Sequence, residues 1–142
     1  ERRGRPITVP DPAQAPVVLS IALSSFSDWA PLAALAADDL TRVVIYPNPY
    51  IPYDQNERTG LPYVPGVLGT GVIFDNLTAA VTIEVYTLAG VKVAAFQSAN
   101  STGRIQWNAH NDDRRELASG VYLCVIKSAS GERVTRKLMI IR

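Results

Sequence analysis

Apolar and polar residues alternate most cleanly at Val81-Thr82-Ile83-Glu84-Val85-Tyr86, which puts Val81, Ile83 and Val85 on one face of a strand. Leu88-Ala89-Gly90 then makes a turn and Val91 to Phe96 returns, so the two runs predict a hairpin. Shorter strands are expected before it, at Arg42 to Tyr46, where Pro47 and Pro49 stop the run, and at Gly71 to Phe74. Arg104 to Trp107 reads as a further strand with Ile105 and Trp107 pointing one way, so Trp107 is expected in the core. Val121 to Lys127 is apolar on both faces, as a central strand should be; Ser128 to Gly131 turns the chain, and Arg133 to Ile141 closes it. Short, mostly adjacent strands separated by turn signals predict an all-β fold. The expected form is an antiparallel β-sandwich of about seven strands over residues 42–142, not a parallel α/β sheet.

Residues 1–41 follow a different pattern. Residues 1–16 hold four prolines (Pro6, Pro10, Pro12 and Pro16) and no periodicity, which reads as an extended amino-terminal arm. Val17 to Leu23 has the composition of a strand. Ser27 to Leu40 is rich in alanine and leucine, with Asp28 and Pro31 near its start, and predicts one short helix. Within the sandwich, residues 50–69 form a long loop of tyrosine, proline and glycine that includes Tyr50, Tyr53 and Tyr63. A loop of that length points to function or to packing against a neighbour. Three readings fit it: folding back over its own sandwich, a subunit interface, or stacking on a glycan.

Composition narrows the classes. Hydrophobic residues make up 47% of the 142 and charged residues 19%, which argues against disorder. Net charge is +1, from 14 basic and 13 acidic side chains, so no nucleic-acid partner is expected. Arg2, Arg3 and Arg5 read as a solvated tail. No apolar run reaches the length of a membrane span. The amino end lacks the apolar stretch of a signal peptide, so an exported form would be the mature chain. Cys124 is the one cysteine and sits in an apolar run, where a buried, inert thiol is expected.

Catalytic chemistry finds little support. His110 is the one histidine and no nucleophile motif surrounds it. Asn108, His110, Asp112 and Asp113 read as an Asx-rich turn, without the spacing of a calcium loop. Asp38 and Asp39 are adjacent, so on a helix they would point about 100° apart and not into one pocket. Gly66, Gly69 and Gly71 are followed by no Lys-Ser/Thr and form no phosphate cradle. The expectation is no enzyme, no cofactor and no metal.

Tyr46-Pro47-Asn48-Pro49 resembles the opening of the carboxy-terminal sorting modules of type IX secretion. The resemblance continues through Phe74-Asp75-Asn76-Leu77 and Val81 to Gly90, and Lys137 to Arg142 looks like that family's closing strand. Trp107-Asn108-Ala109, followed by Leu117 to Leu123, is also similar to the immunoglobulin-like module of flagellar hook-capping proteins. The resemblance covers about residues 42–142 and implies a seven-stranded immunoglobulin-like sandwich on an exported protein, with no catalytic residues to carry over. Residues 1–41 have no counterpart in it, and the 50–69 loop is longer than the compact pattern.

Two functions follow as expectations. The first is a non-catalytic extracellular structural protein, a subunit that self-assembles into a filament or surface layer through its amino-terminal arm. Val17, Leu19, Ile21 and Leu23 would fill a neighbour's sheet edge, and Tyr50, Tyr53 and Tyr63 would join the same interface between identical subunits. The alternative is a carboxy-terminal sorting, anchoring or scaffold module of a larger exported bacterial protein, whose partner is the outer surface or the secretion machinery.

Overall fold

The structure, a computed structural model, describes residues 35–142. Seven strands run in chain order: β1 (Val44–Tyr46), β2 (Val72–Asp75), β3 (Ala80–Thr87), β4 (Lys92–Ala99), β5 (Ile105–Trp107), β6 (Gly120–Ser128) and β7 (Arg133–Ile140). They form two antiparallel sheets, one ordered β1-β2-β5 and the other β4-β3-β6-β7. The hairpin expected at residues 81–96 is β3–β4, with Ile83 opposite Phe96 and a register shift after Val85. β6 lies between β3 and β7, which explains why it is apolar on both faces.

Each strand turns alternate residues inward. Ile45, Val72, Phe74 and Trp107 come from the smaller sheet; Val81, Ile83, Val85, Tyr122, Cys124, Ile126, Leu138 and Ile140 come from the larger, and all are buried in one core. Three aromatic rings join the sheets. Phe96 of β4 lies 5.8 Å from Phe74 of β2 and 5.3 Å from Trp107 of β5, centroid to centroid. Edge-to-face and offset contacts of this kind add to the area the rings bury. Cys124 is fully buried, and that burial pushes its thiol up to about 12, so it stays protonated and unreactive at neutral pH.

The strand expected at Val17, Leu19, Ile21 and Leu23, and the first part of the helix expected at Ser27 to Leu40, lie outside the described residues. The part of that helix that is described, Leu35 to Leu40, is not helical. Its alanines and leucines favour a helix locally, but the amides of Ala36 and Ala37 donate to the distant carbonyls of Ser101 and Leu77 at 2.8 Å each. Leu40 is fully buried, so these residues also belong to the unit built on the two sheets.

The smaller sheet is cross-tied on its outer side. Asp75 Oδ2 accepts from Arg104 Nη2 at 2.7 Å and from the Tyr46 hydroxyl at 2.9 Å, and Oδ1 accepts from the Asn76 amide at 2.9 Å. Burial pushes the Asp75 carboxyl up, but these hydrogen bonds and the Arg104 charge outweigh it and hold the group below its ordinary range. A carboxyl whose folded pKa is depressed contributes stability above its unfolded pKa of about 3.9 and loses it as pH falls through the folded value. The urea midpoint should therefore drop as pH is lowered below about 4, and Asp75→Asn should show a shallower drop. Asp39 and Glu84 are also held low, through hydrogen bonds from Thr41 and Tyr86 first, so some slope should persist in the variant. An unchanged slope in Asp75→Asn would remove Asp75 from the account.

Candidate functional site

The segment that follows β1 runs along the outer edge of β7. Pro47 and Pro49 cannot donate to a ladder, so the pairing falls to the residues around them. The Asn48 side chain takes the place of a strand backbone: Nδ2 donates to the Lys137 carbonyl and Oδ1 accepts from the Met139 amide, both at 2.9 Å. Tyr50 continues with its own backbone, donating to the Met139 carbonyl at 2.8 Å and accepting from the Ile141 amide at 2.9 Å. Further along the edge, Arg136 Nε donates to the Val43 carbonyl and Nη2 to the Thr41 carbonyl. An edge strand exposes unpaired amides and carbonyls; here Asn48 and Tyr50 cover those of Lys137 and Met139 on β7, while the Arg136 side chain ties residues 41–43 to the same strand.

Asn48→Ala should remove both side-chain bonds and leave the Met139 amide to solvent. The expected cost is about 1–2 kcal/mol, because water replaces part of what is lost at this exposed position. Amide exchange at Met139 should accelerate more than at Leu138, which faces β6; equal protection in variant and parent would deny Asn48 this role.

Beyond Tyr50 the tyrosine-proline loop folds back on its own smaller sheet. Gln106 of β5 fastens it: Nε2 lies 3.1 Å from the Val64 carbonyl, 3.0 Å from that of Val67, 2.9 Å from that of Thr70 and 2.8 Å from Thr70 Oγ1. Gln106 Oε1 accepts from the Gly66 amide at 3.2 Å. Gly71, at φ +72°, ends the loop where a Cβ would lie 2.7 Å from the Trp107 carbonyl and 2.8 Å from the Tyr63 ring, so only glycine fits there. Folding back was one of the three readings of this loop. It makes Tyr50 a core residue, 1% exposed, whose ring presents no surface to a neighbouring subunit. Tyr53 stays exposed and Tyr63 half-buried.

A cavity of about 360 Å³ opens beside the loop, lined by Tyr50, Tyr53, Pro62, Tyr63, Pro65, Asn108, His110, Glu116 and Arg142. Its charged members are tied together. Arg142 Nη1 lies 3.1 Å from Glu116 Oε1, and Arg142 Nε donates to the Leu117 carbonyl at 2.7 Å. The Arg142 guanidinium lies 5.8 Å from the centre of the Tyr53 ring, and the Tyr53 hydroxyl donates to Glu116 Oε2 at 2.7 Å. That hydrogen bond, more than burial, raises the Tyr53 phenol. Asn108 and His110 come from the turn expected to be Asx-rich. Asn108 Oδ1 accepts from the His110 amide at 3.0 Å, Asn111 Oδ1 accepts from the amides of Asp113 and Arg115, and Asp112 Oδ1 accepts from the Ala95 amide. Asp112 thus caps the edge of β4, and the side-chain oxygens of Asn108, Asn111 and Asp112 are each engaged by backbone amides. Among the described residues no three of His, Cys, Asp and Glu gather as metal ligands.

Glu116 and Arg142 carry no motif that marks them in the sequence; only the topology brings them to Tyr53. Tyr53, Tyr63 and His110 are legible as residue types worth attention, but their shared cavity is not.

No curated protein sequence matches the chain. Among solved structures, the chain is similar to PorZ, described as an essential bacterial surface component of the type-IX secretion system of Porphyromonas gingivalis, with a TM-score of 0.53 and 26% sequence identity. The likeness covers 75% of this chain and 12% of PorZ, so the chain spans only a small part of that protein's length. The sequence profile of the secretion system C-terminal sorting domain matches residues 70–141, half of the chain, from just before β2 to just past β7. The chain therefore belongs to the family of secretion system C-terminal sorting domains.

Proposed function

We propose that the chain works as a sorting module of the type IX secretion system: an immunoglobulin-like sandwich that marks the protein carrying it for export to the cell surface or beyond. The observation that carries this reading is the family match over residues 70–141, which takes in six of the seven strands. The likeness to PorZ supports it from the side of the fold. Both favour the sorting alternative over a self-assembling filament. The partner in this reading is the secretion machinery, met through the folded surface of the sandwich.

The module is non-catalytic in this proposal. Cys124 is sealed in the core, His110 is held by Asn108, and Glu116 and Asp75 are engaged by Arg142 and Arg104. These groups all have structural partners or no access to substrate.

The test is a fusion of the full chain behind a periplasmic reporter, expressed in a bacterium with the type IX machinery and in the same strain without it. The reporter should reach the surface or medium only in the first strain. Retention in the periplasm of both strains, or export from both, would overturn the proposal.

A further inference from the structure

The cavity beside the tyrosine-proline loop has polar atoms that bond to none of the described residues. His110 Nδ1 lies 2.9 Å from the Asn108 carbonyl, which can only accept, so Nδ1 is the donor there, and in the tautomer this fixes Nε2 is an acceptor that no described residue meets. Asn108 Oδ1 is fixed by the His110 amide, which can only donate, so the outstanding group of that side chain is its NH₂ donor. Neither Asn108 Nδ2, His110 Nε2 nor the Tyr63 hydroxyl bonds to any described residue. The site therefore places a donor and an acceptor on residues two apart in one turn, in a cavity that Tyr53 and Tyr63 also line.

Three properties limit the ligand. The charges of Glu116 and Arg142 are paired at 3.1 Å, so no net charge calls for a phosphate or a carboxylate. The volume of about 360 Å³ is at the low end of ligand cavities, enough for a single ring. The outstanding hydrogen-bonding capacity includes both a donor and an acceptor. An all-proline stretch, the other common ligand of tyrosine-lined grooves, offers carbonyls alone and would leave the His110 Nε2 lone pair unmet. Neighbouring hydroxyls each donate and accept, and the C–H face of a sugar packs on an aromatic ring.

We propose that this cavity binds one uncharged pyranose ring, with Tyr53 and Tyr63 as stacking faces and Asn108 Nδ2 and His110 Nε2 as partners for adjacent hydroxyls. The Arg142 guanidinium, held by Glu116 and the Leu117 carbonyl, lies over the Tyr53 ring and keeps it in place before any ligand arrives, so little side-chain freedom is lost on binding. This site is independent of the sorting role and stands or falls apart from it.

The experiment is an NMR titration of the full chain with the methyl pyranosides of glucose, galactose and mannose, followed through backbone amide shifts. At least one sugar should give saturable shifts centred on Tyr53, Tyr63, Asn108 and His110. Tyr63→Ala and Asn108→Ala should each weaken that binding by about tenfold or more, while Tyr53→Phe, which keeps the ring and loses only the hydroxyl, should change it by less than about threefold. Asn108→Ala keeps the reading open if loss of the Tyr63 ring disturbs the loop. Saturation with none of the three sugars, shifts centred elsewhere, or occupation of the cavity by an acetylated hexaproline peptide in place of sugar would overturn the proposal.

Discussion

Replacing Trp107 with alanine should cost about 3–5 kcal/mol, a large share of the about 5–15 kcal/mol that holds a typical domain folded. The residue is 8% exposed, and its ring lies 5.3 Å from Phe96 and 6.1 Å from Phe74. Those three rings come from both sheets, so the indole fills space that neither sheet closes alone. Phe96 sits on β4, an edge strand, and is only partly buried; without Trp107 it loses its stacked partner. The gap would not collapse easily, because the β5 backbone is fixed through Val72↔Trp107 and Ile73↔Gln106 pairing. Urea unfolding should show a lower midpoint with an unchanged slope. A melting temperature within about two degrees of the parent would mean that the ring contributes little to the core.

The second large effect is expected on the closing strand. Leu138 and Ile140 are fully buried, while Lys137 and Met139, on either side of Leu138, face outward. Leu138→Ala should cost about 2–5 kcal/mol, and Lys137→Ala, one residue away, should stay within about 0.5 kcal/mol. The backbone bonds that Lys137 makes, including the carbonyl that accepts from Asn48, survive its truncation. Chemical denaturation of both variants checks the contrast. Similar losses in the two would mean that β7 does not sit in this register.

How much of this was legible depends on the cause of each element. β3 could be read because its alternation is the direct imprint of one buried face. β4 was expected to stop at Phe96 but runs to Ala99, since Gln97, Ser98 and Ala99 carry no apolar signal and are held by pairing with β3. The helix expected to reach Leu40 has no helical end, because distant carbonyls took the amides that a helix would use. Proline and glycine announced the 50–69 loop; that Gln106 fastens it depends on where β5 sits beside β2, and no local pattern carries that. The tetrapeptide Tyr46 to Pro49 was legible as a strand stop. Its role on β7 needed the fold, because Asn48 meets residues that lie 89 and 91 positions further along.

That separation sets the tempo of folding. Arg136 reaches back 95 positions to Thr41, and the Asn48 bonds span almost as much of the chain. Closing so long a loop costs entropy before any contact rewards it, and proteins dominated by such distant pairings fold slowly, over milliseconds to seconds. A local hairpin such as β3–β4 can form early, in microseconds. The edge that Asn48 and Tyr50 protect comes into being only when β7 arrives, so that strand acts as the latch that turns a collection of hairpins into a closed core. A chain emerging in sequence from a ribosome or a translocation channel would keep this module open, with β6 lacking one neighbour, until that stretch is free.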